Sequence, residues 1–362
     1  MNPSSQSSWS CVTVLGARPQ FIKAAPLSEA LRARGCQERI IHTGQHYDPE
    51  LSKVFFEELK IPAPAHHLGI AGGGHSAMVG RMLIALEAIL VEEQPDIVLV
   101  YGDTNSTLAG ALAAAQLNIP VAHVEAGLRS YRLEMPEEKN RRLTDHLSSL
   151  LFCPTARAVE LLKREGISDG VSQVGDLMYD MALKVESEVG YLDQLELVSG
   201  TYDVMTLHRA EVCDKADIFR DRLQWLIDRQ KEQARPLIWP IHPRSKQALA
   251  RVSDLDLSGI TRIAPVSYRK MATLLRGAAE VYTDSGGLQR EAFFHQVPCV
   301  TLRDESEWPE TIEAGWNRLW AQRDQPLPPL DQRHPPRDFG AGDAGAEIAE
   351  TMRAFCAARA TA

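Results

Sequence analysis

A chain of 362 residues with 44% hydrophobic and 24% charged side chains has ordinary globular composition and enough length for two domains of typical size. Its net charge of −9 leaves no basic field to hold nucleic acid or an anionic membrane, so an anionic ligand must be caught by a local site. No apolar run approaches the roughly 20 residues that span a bilayer, and the polar opening MNPSSQSSWS lacks the basic and apolar segments of a signal peptide, which together point to a cytoplasmic protein.

CVTVLG (11 to 16) reads as a strand. In the FIKAAPLSEALRARG that follows, Phe21, Ala24, Ala25, Leu27 and Leu31 recur at helical spacing, and Gly35 ends the run. RIIHTG, DIVLVYGD, VAHVEAG, LLFCP and VSQVGD each repeat this alternation of strand, loop and helix, the pattern of parallel βαβ units. The alternation lapses around 185 to 201 and restarts with YDVMTLH, PLIWPIH, ITRIAP, EVYTDSGG and VPCVTL. The fold class expected is therefore α/β in two similar halves, residues 1–180 and 181–343, with a Pro-rich stretch at 325 to 337 and a last helix near 344–362 that can pack back on the first half. The six cysteines (11, 36, 153, 213, 299 and 356) form no CxxC pair and read as reduced, buried thiols. His42 and His46 have no acidic or cysteine partner at ligand spacing, so no metal is expected.

In doubly wound sheets ligands lie beyond the carboxyl ends of the strands. The residues expected there are polar: Gly16 to Pro19, His42 to His46, Asp103, Glu125, His208-Arg209, His242 and Asp284 to Gly287. A wet strand end explains any one of them, but seven such loops on one edge ask for more. In DSGGLQRE (284 to 291) two glycines let a ligand approach and a helix begins, which suits a phosphate; a plain tight turn reads the same way. Glu291, one turn on, is placed to accept from a sugar diol. VEAGLRSYRLEMPEEKNR (124 to 141) concentrates charge where a strand leaves the core.

GARPQFIKAAP, YGDTNST, HVEAGLR, MPEEKNR, TLHRAE and TDSGGLQREA resemble, in order and spacing, the motifs of the non-hydrolysing UDP-N-acetylglucosamine 2-epimerases of bacteria, over about residues 12 to 320. The resemblance implies a glycosyltransferase-B-like fold of two Rossmann-like domains with parallel sheets and an interdomain cleft for a UDP-sugar substrate, a homodimer, and no metal or other cofactor. It also implies C2 epimerisation through elimination of UDP to a glycal and re-addition, which needs carboxylates on both faces of the ring. Asp103, Glu125 and Glu137 match the family's active-site carboxylates, with proton transfer expected at Asp103 and Glu137 and a sugar-holding role at Glu125. Arg18, Lys23 and His208 match phosphate contacts, Ser285, Gly286 and Gly287 would seat the diphosphate, Glu291 the ribose, and Val266 to Met271 the uracil.

Some motifs depart from the N-acetylglucosamine enzymes. Val212 stands where Asn is expected, Trp308 where an arginine is expected, and Met135 where Trp is usual. EWPE and AGWNRLW resemble instead the branch that epimerises UDP-2,3-diacetamido-2,3-dideoxy-glucuronate to its manno form for lipopolysaccharide O-antigen. The sugar's extra carboxylate would need a cation, for which Arg129, Arg132 and His242 are candidates. Segment 66 to 80 differs from the allosterically regulated members, although Gln45 and His46 match them. UDP-N-acetylglucosamine to UDP-N-acetylmannosamine epimerisation is the alternative activity; a glycosyltransferase or a UDP-sugar-binding regulator would share the fold.

Overall fold

Six of the seven residues of β1 (Trp9–Leu15) are buried, as a strand covered on both faces by helices requires. It pairs in parallel with β2 (Cys36–His42) on one side and β4 (Ile97–Tyr101) on the other. The computed structural model describes residues 9–45 and 56–361, so His46 lies outside the described residues. One compact unit runs to Leu183 and takes up the chain again from Asp338; the other is Lys184–Arg337.

In the first unit a two-residue β3 (His66–His67), β5 (Val121–Val124), β6 (Leu150–Cys153) and β7 (Val171–Gln173) complete a parallel sheet in the order β3-β2-β1-β4-β5-β6-β7. The order reverses between β1 and β4, the place where such a sheet opens a crevice at its carboxyl edge. Helices α1 (Arg18–Ala33), α2 (His75–Glu93), α3 (Asn105–Gln116), α4 (Pro136–Leu147), α5 (Ala156–Arg164) and α6 (Leu177–Lys184) connect the strands. α1 starts three residues before its apolar run, at Arg18-Pro19, where a proline costs no hydrogen bond. Pro26 sits inside it, where a proline would ordinarily break a helix.

The second unit has β8 (Asp203–Thr206), β9 (Leu237–Pro240), β10 (Ile260–Ile263), β11 (Glu280–Thr283), β12 (Cys299–Thr301) and β13 (Asn317–Leu319), all parallel, in the order β10-β9-β8-β11-β12-β13. Here the reversal falls between β8 and β11. Its helices are α7 (Tyr191–Gln194), α8 (Ala210–Cys213), α9 (Ala216–Gln233), α10 (Pro243–Leu249), α11 (Tyr268–Gly277), α12 (Gly286–Phe294) and α13 (Pro309–Glu313). Phe219, Leu223, Trp239 and Tyr282 fill one face of the sheet, and Tyr202, Leu274, Leu275 and Val281 the other. The C-terminal helix α14 (Ala344–Ala360) lies on α1 of the first unit, and Asp180 accepts from its first backbone N–H groups, at Ala344 (3.2 Å) and Gly345 (2.9 Å). All six cysteines are buried free thiols, and among the described residues no helix is long and apolar enough to cross a membrane.

β3 and β13 are absent from the sequence expectation. Each is too short to show an alternation and exists through its ladder partner, as in the pairing of Asn317 to Leu319 with Cys299 to Thr301.

A side chain at Gly16 would place its Cβ 2.1 Å from Ser106 Oγ and 2.2 Å from Thr43 Oγ1, so β1 and the start of α3 can approach only through glycine. Gly16→Ala should destabilise the first unit by about 1–3 kcal/mol, read from urea midpoints. His42, at the end of β2, is buried and stacks on Phe21 at 5.3 Å. Burial, then the charge of nearby His67, pulls its imidazole down to about 4. Because the unfolded chain takes up that proton first, the stability this group contributes is complete above its ordinary value near 6.5 and is lost as pH falls toward 4. Urea midpoints should decline over that window, and His42→Phe should flatten the decline.

Candidate active site

The crevice of the first unit is built on Gln20. Its Oε1 accepts from the Gly16 and Ala17 backbone N–H groups (2.7 and 2.9 Å), and its Nε2 donates to the Tyr101 carbonyl (2.8 Å) and to the hydroxyls of Thr104 and Thr107 (3.1 Å each). One buried amide thus ties the end of β1 to the end of β4. Arg18 is exposed in the first turn of α1, while Lys23, one turn further, is buried in an ion pair with Glu125. Glu125 follows β5 directly and has a left-handed backbone (φ 69), costly for a non-glycine residue and held by N–H donation from Glu125 and Ala126 to the Phe152 carbonyl (3.1 Å each). Gly102 makes room for it. A Cβ there would lie 3.1 Å from Glu125 Oε2, and its φ of +64 also favours glycine.

Asp103 is paired with Arg141 of α4, and its backbone carbonyl accepts from Asn140 Nδ2 (2.9 Å). Pro136 opens α4, and the helix carries Glu137, Glu138, Asn140, Arg141 and Asp145 on its turns. Glu138 is fully buried, accepts from Ser130 N–H (2.8 Å) and Oγ (3.0 Å), and lies 3.2 Å from Arg141. Glu137 is half-buried and, among the described residues, has no hydrogen-bond or ion-pair partner. Asp103 and Glu125 therefore follow neighbouring strands, each beside a buried cation, with Glu137 in the first turn of α4.

Two residues expected at a ligand have protein partners in this unit. Arg129, a candidate for a sugar carboxylate, is buried against Asp145 (2.7 Å) and Glu165 (2.8 and 2.7 Å); burial disfavours its charge, but these partners outweigh burial and hold its pKa above the ordinary value. It fastens the loop after β5 instead of facing a ligand. Lys23, expected on phosphates, has its ammonium on Glu125. Arg132 is exposed and pairs with Glu134 (2.7 Å).

The second unit repeats the arrangement at its own reversal. Asp284, after β11, is fully buried and accepts from the backbone N–H groups of His208 and Arg209 after β8 (2.8 Å each), and the His208 Nδ1 lies 3.3 Å from it. Ser285 caps α12, accepting from Leu288 N–H (3.3 Å), and Gly286 and Gly287 form the partly exposed first turn. Beside Gly286 stand Arg209 and Glu307, each 3.7 Å from where its Cβ would be. Burial would raise Glu307, but its paired bonds to Arg303 (3.1 and 3.0 Å) bring it down to about 2, so it stays anionic. His242 is exposed, caps α10 by accepting from Arg244 N–H (3.2 Å), and has its ring 5.7 Å from that of His208.

Glu291 is buried one turn into α12. Met271, expected at a uracil, is a core residue among Leu274, Leu275 and Val281, because its position on α11 faces the sheet. Trp308 is buried and the Arg290 guanidinium stacks 3.8 Å over its ring, so a cation does stand near the position where the family's arginine was expected, but on another segment. Sequence reasoning missed Gln20, Asn140, His123 and Asp145 as site-building residues; the i, i+4, i+8 spacing of Glu137, Arg141 and Asp145 was the available signal. Among the described residues no cluster of three or more His, Cys, Asp or Glu could hold a metal.

The profile described as UDP-N-acetylglucosamine 2-epimerase matches residues 29–353. A UDP-N-acetylglucosamine 2-epimerase homolog of Methanococcus maripaludis is 46% identical over 357 residues, covering 94% of this chain and 99% of the relative. The UDP-2,3-diacetamido-2,3-dideoxy-D-glucuronate 2-epimerase of Pseudomonas aeruginosa is 46% identical over 316 residues, covering 85% and 87%. The crystal structure of Methanocaldococcus jannaschii UDP-GlcNAc 2-epimerase in complex with UDP-GlcNAc and UDP matches with a TM-score of 0.87 at 39% identity, covering 95% of this chain and 99% of that one. With its two parallel Rossmann-like sheets and its paired strand-end carboxylates, the chain belongs to the UDP-N-acetylglucosamine 2-epimerase family and is an isomerase, a UDP-sugar 2-epimerase.

Proposed function

We propose that this epimerase converts UDP-2,3-diacetamido-2,3-dideoxy-glucuronate to its manno epimer, a precursor chemistry for lipopolysaccharide O-antigen. A carboxylate takes the C2 proton as the C1–O bond to UDP breaks, giving a C1=C2 glycal and free UDP. A proton then returns to the opposite face of C2 as the UDP oxygen re-adds to C1. The observation that carries the chemistry is the pair of carboxylates, Asp103 and Glu125, on neighbouring strand ends, each held by a buried cation.

Asp103 and Glu137 are the proton-transfer groups in this reading and Glu125 orients the sugar; Lys23 fixes Glu125. Arg18 and His208 would meet the departing charge, which preorganised cations and donors stabilise best as the bond breaks. Ser285, Gly286, Gly287 and the α12 N-terminus would seat the diphosphate, with Glu291 on the ribose. The substrate assignment rests on the Pseudomonas aeruginosa relative and on the buried Trp308 with its stacked Arg290. A second reading, UDP-N-acetylglucosamine as substrate, is favoured by the names of the methanogen relatives, at 46% and 40% identity.

Proton NMR in D2O with each UDP sugar separates the two. A manno product deuterated at C2 from the diacetamido glucuronate alone is expected; the same product from UDP-N-acetylglucosamine alone would contradict the substrate assignment. Asp103→Asn, Glu125→Gln and Glu137→Gln should each lower kcat by roughly 10²–10⁴ with UDP affinity by calorimetry nearly unchanged, and a fully active Glu137→Gln enzyme would remove its assigned role.

A homodimer is part of the proposal. On α2, Ile84 is 75% and Val91 58% exposed, two turns apart on one face, which suits contact with a second copy. Light scattering should find a dimer, and Ile84→Glu should shift it to monomer; a monomeric unsubstituted protein would end this part of the reading.

A further inference from the structure

His123 lies on β5, fully buried, and takes no part in the chemistry above. Its Nδ1 is 2.8 Å from Asp145 Oδ1 and its Nε2 is 2.7 Å from the carbonyl of Gly102, the residue before Asp103. A carbonyl can only accept, so Nε2 donates to it. Burial would raise the Asp145 carboxyl, but the bond from His123 and the Arg129 guanidinium hold it below its ordinary value, so it too accepts. Its second oxygen accepts from Arg129 Nη1 (2.7 Å) and from Gly127 N–H (3.3 Å), on the loop that begins with Glu125.

One buried carboxylate therefore fastens both loops. Through Oδ2 it holds the loop of Glu125, and through His123 it holds the peptide that delivers Asp103, whose own carbonyl is clamped by Asn140. We infer that His123, backed by Asp145, is a positioning residue of the epimerase: its Nε2 bond to Gly102 sets the Asp103 carboxylate against the substrate C2. The inference rests on the reading of Asp103 as a proton-transfer group. It matters because Gly102 has a positive φ and its carbonyl is the acceptor that His123 holds, while Asn140 and Arg141 hold only Asp103 itself, and a displacement of about 1 Å at a reacting group costs roughly a hundredfold in rate.

Two substitutions at one position separate positioning from bulk stability. An asparagine amide reaches where Nδ1 stands and can still donate to Asp145, whereas a glutamine amide reaches where Nε2 stands and can still donate to Gly102. With whichever of the two UDP sugars the unsubstituted enzyme epimerises, His123→Asn should lose roughly a hundredfold in kcat with KM and UDP affinity within about threefold, while His123→Gln should stay within about tenfold of the parent rate. Equal losses in both variants, no loss in either, or a collapse of UDP binding in His123→Asn would overturn the inference. If His123→Asn does not fold, His123→Gln carries the test alone: a rate within about tenfold of the parent is expected, and a folded His123→Gln enzyme that loses roughly a hundredfold or more overturns the inference. Asp103→Asn run in parallel keeps the two readings apart. If it retains full rate, the role of Asp103 falls and this inference with it; if it is inactive while His123→Asn is not, only the role of His123 falls.

Discussion

A carboxylate at the end of a buried strand has to be compensated, and the first unit is organised by how it does so. Glu125 is matched by Lys23 and the partly exposed Asp103 by Arg141; removing one member of a buried pair such as Lys23–Glu125 typically costs about 3–5 kcal/mol, because the other charge is left without its counterion. These cations reach their partners only because α1 and α4 flank the carboxyl edge of the sheet. Each carboxylate is oriented by its cation and stands at the carboxyl edge where the strand order reverses, the place where such sheets take their ligands.

The second unit meets the same constraint differently. Asp284 is completely buried at the corresponding reversal, and two backbone N–H groups, from His208 and Arg209, satisfy one of its oxygens. A carboxylate so bound shapes the loop. It holds His208 beside the first turn of α12, whose free N–H groups favour an anion. One unit thus sets cation-paired carboxylates at its reversal and the other a buried carboxylate bound by backbone N–H groups, from the same succession of parallel strands.

Much of this was legible in the sequence because parallel strands buried on both faces leave near-continuous apolar runs, and polar residues just after those runs fall on one edge. Asp103, Glu125, His208 and Ser285 were singled out that way, and each stands just after a parallel strand. Arg129 and Met271 were misread because local sequence does not tell which way a side chain turns. Arg129 turns inward to Asp145 and Glu165, residues 16 and 36 positions away, and Met271 turns to the sheet. Gln20, His123 and Asn140 passed unnoticed for a related reason: their role is to satisfy backbone groups of distant segments, and nothing in their own surroundings announces such partners. The strands β3 and β13 depend in the same way on ladders formed by residues remote in sequence.

In the proposed reaction the sugar parts from UDP while carboxylates of the first unit act on C2. Positional isotope exchange tests it most directly, using the UDP sugar substrate with ¹⁸O at the bridge between C1 and the β-phosphorus. The account predicts that the label scrambles into the non-bridging β-phosphate oxygens in substrate recovered before equilibrium, because the released diphosphate can rotate before it re-adds. Retention of the label at the bridge while C2 inverts and takes up solvent deuterium would contradict it, since the C1–O bond would then have stayed intact throughout.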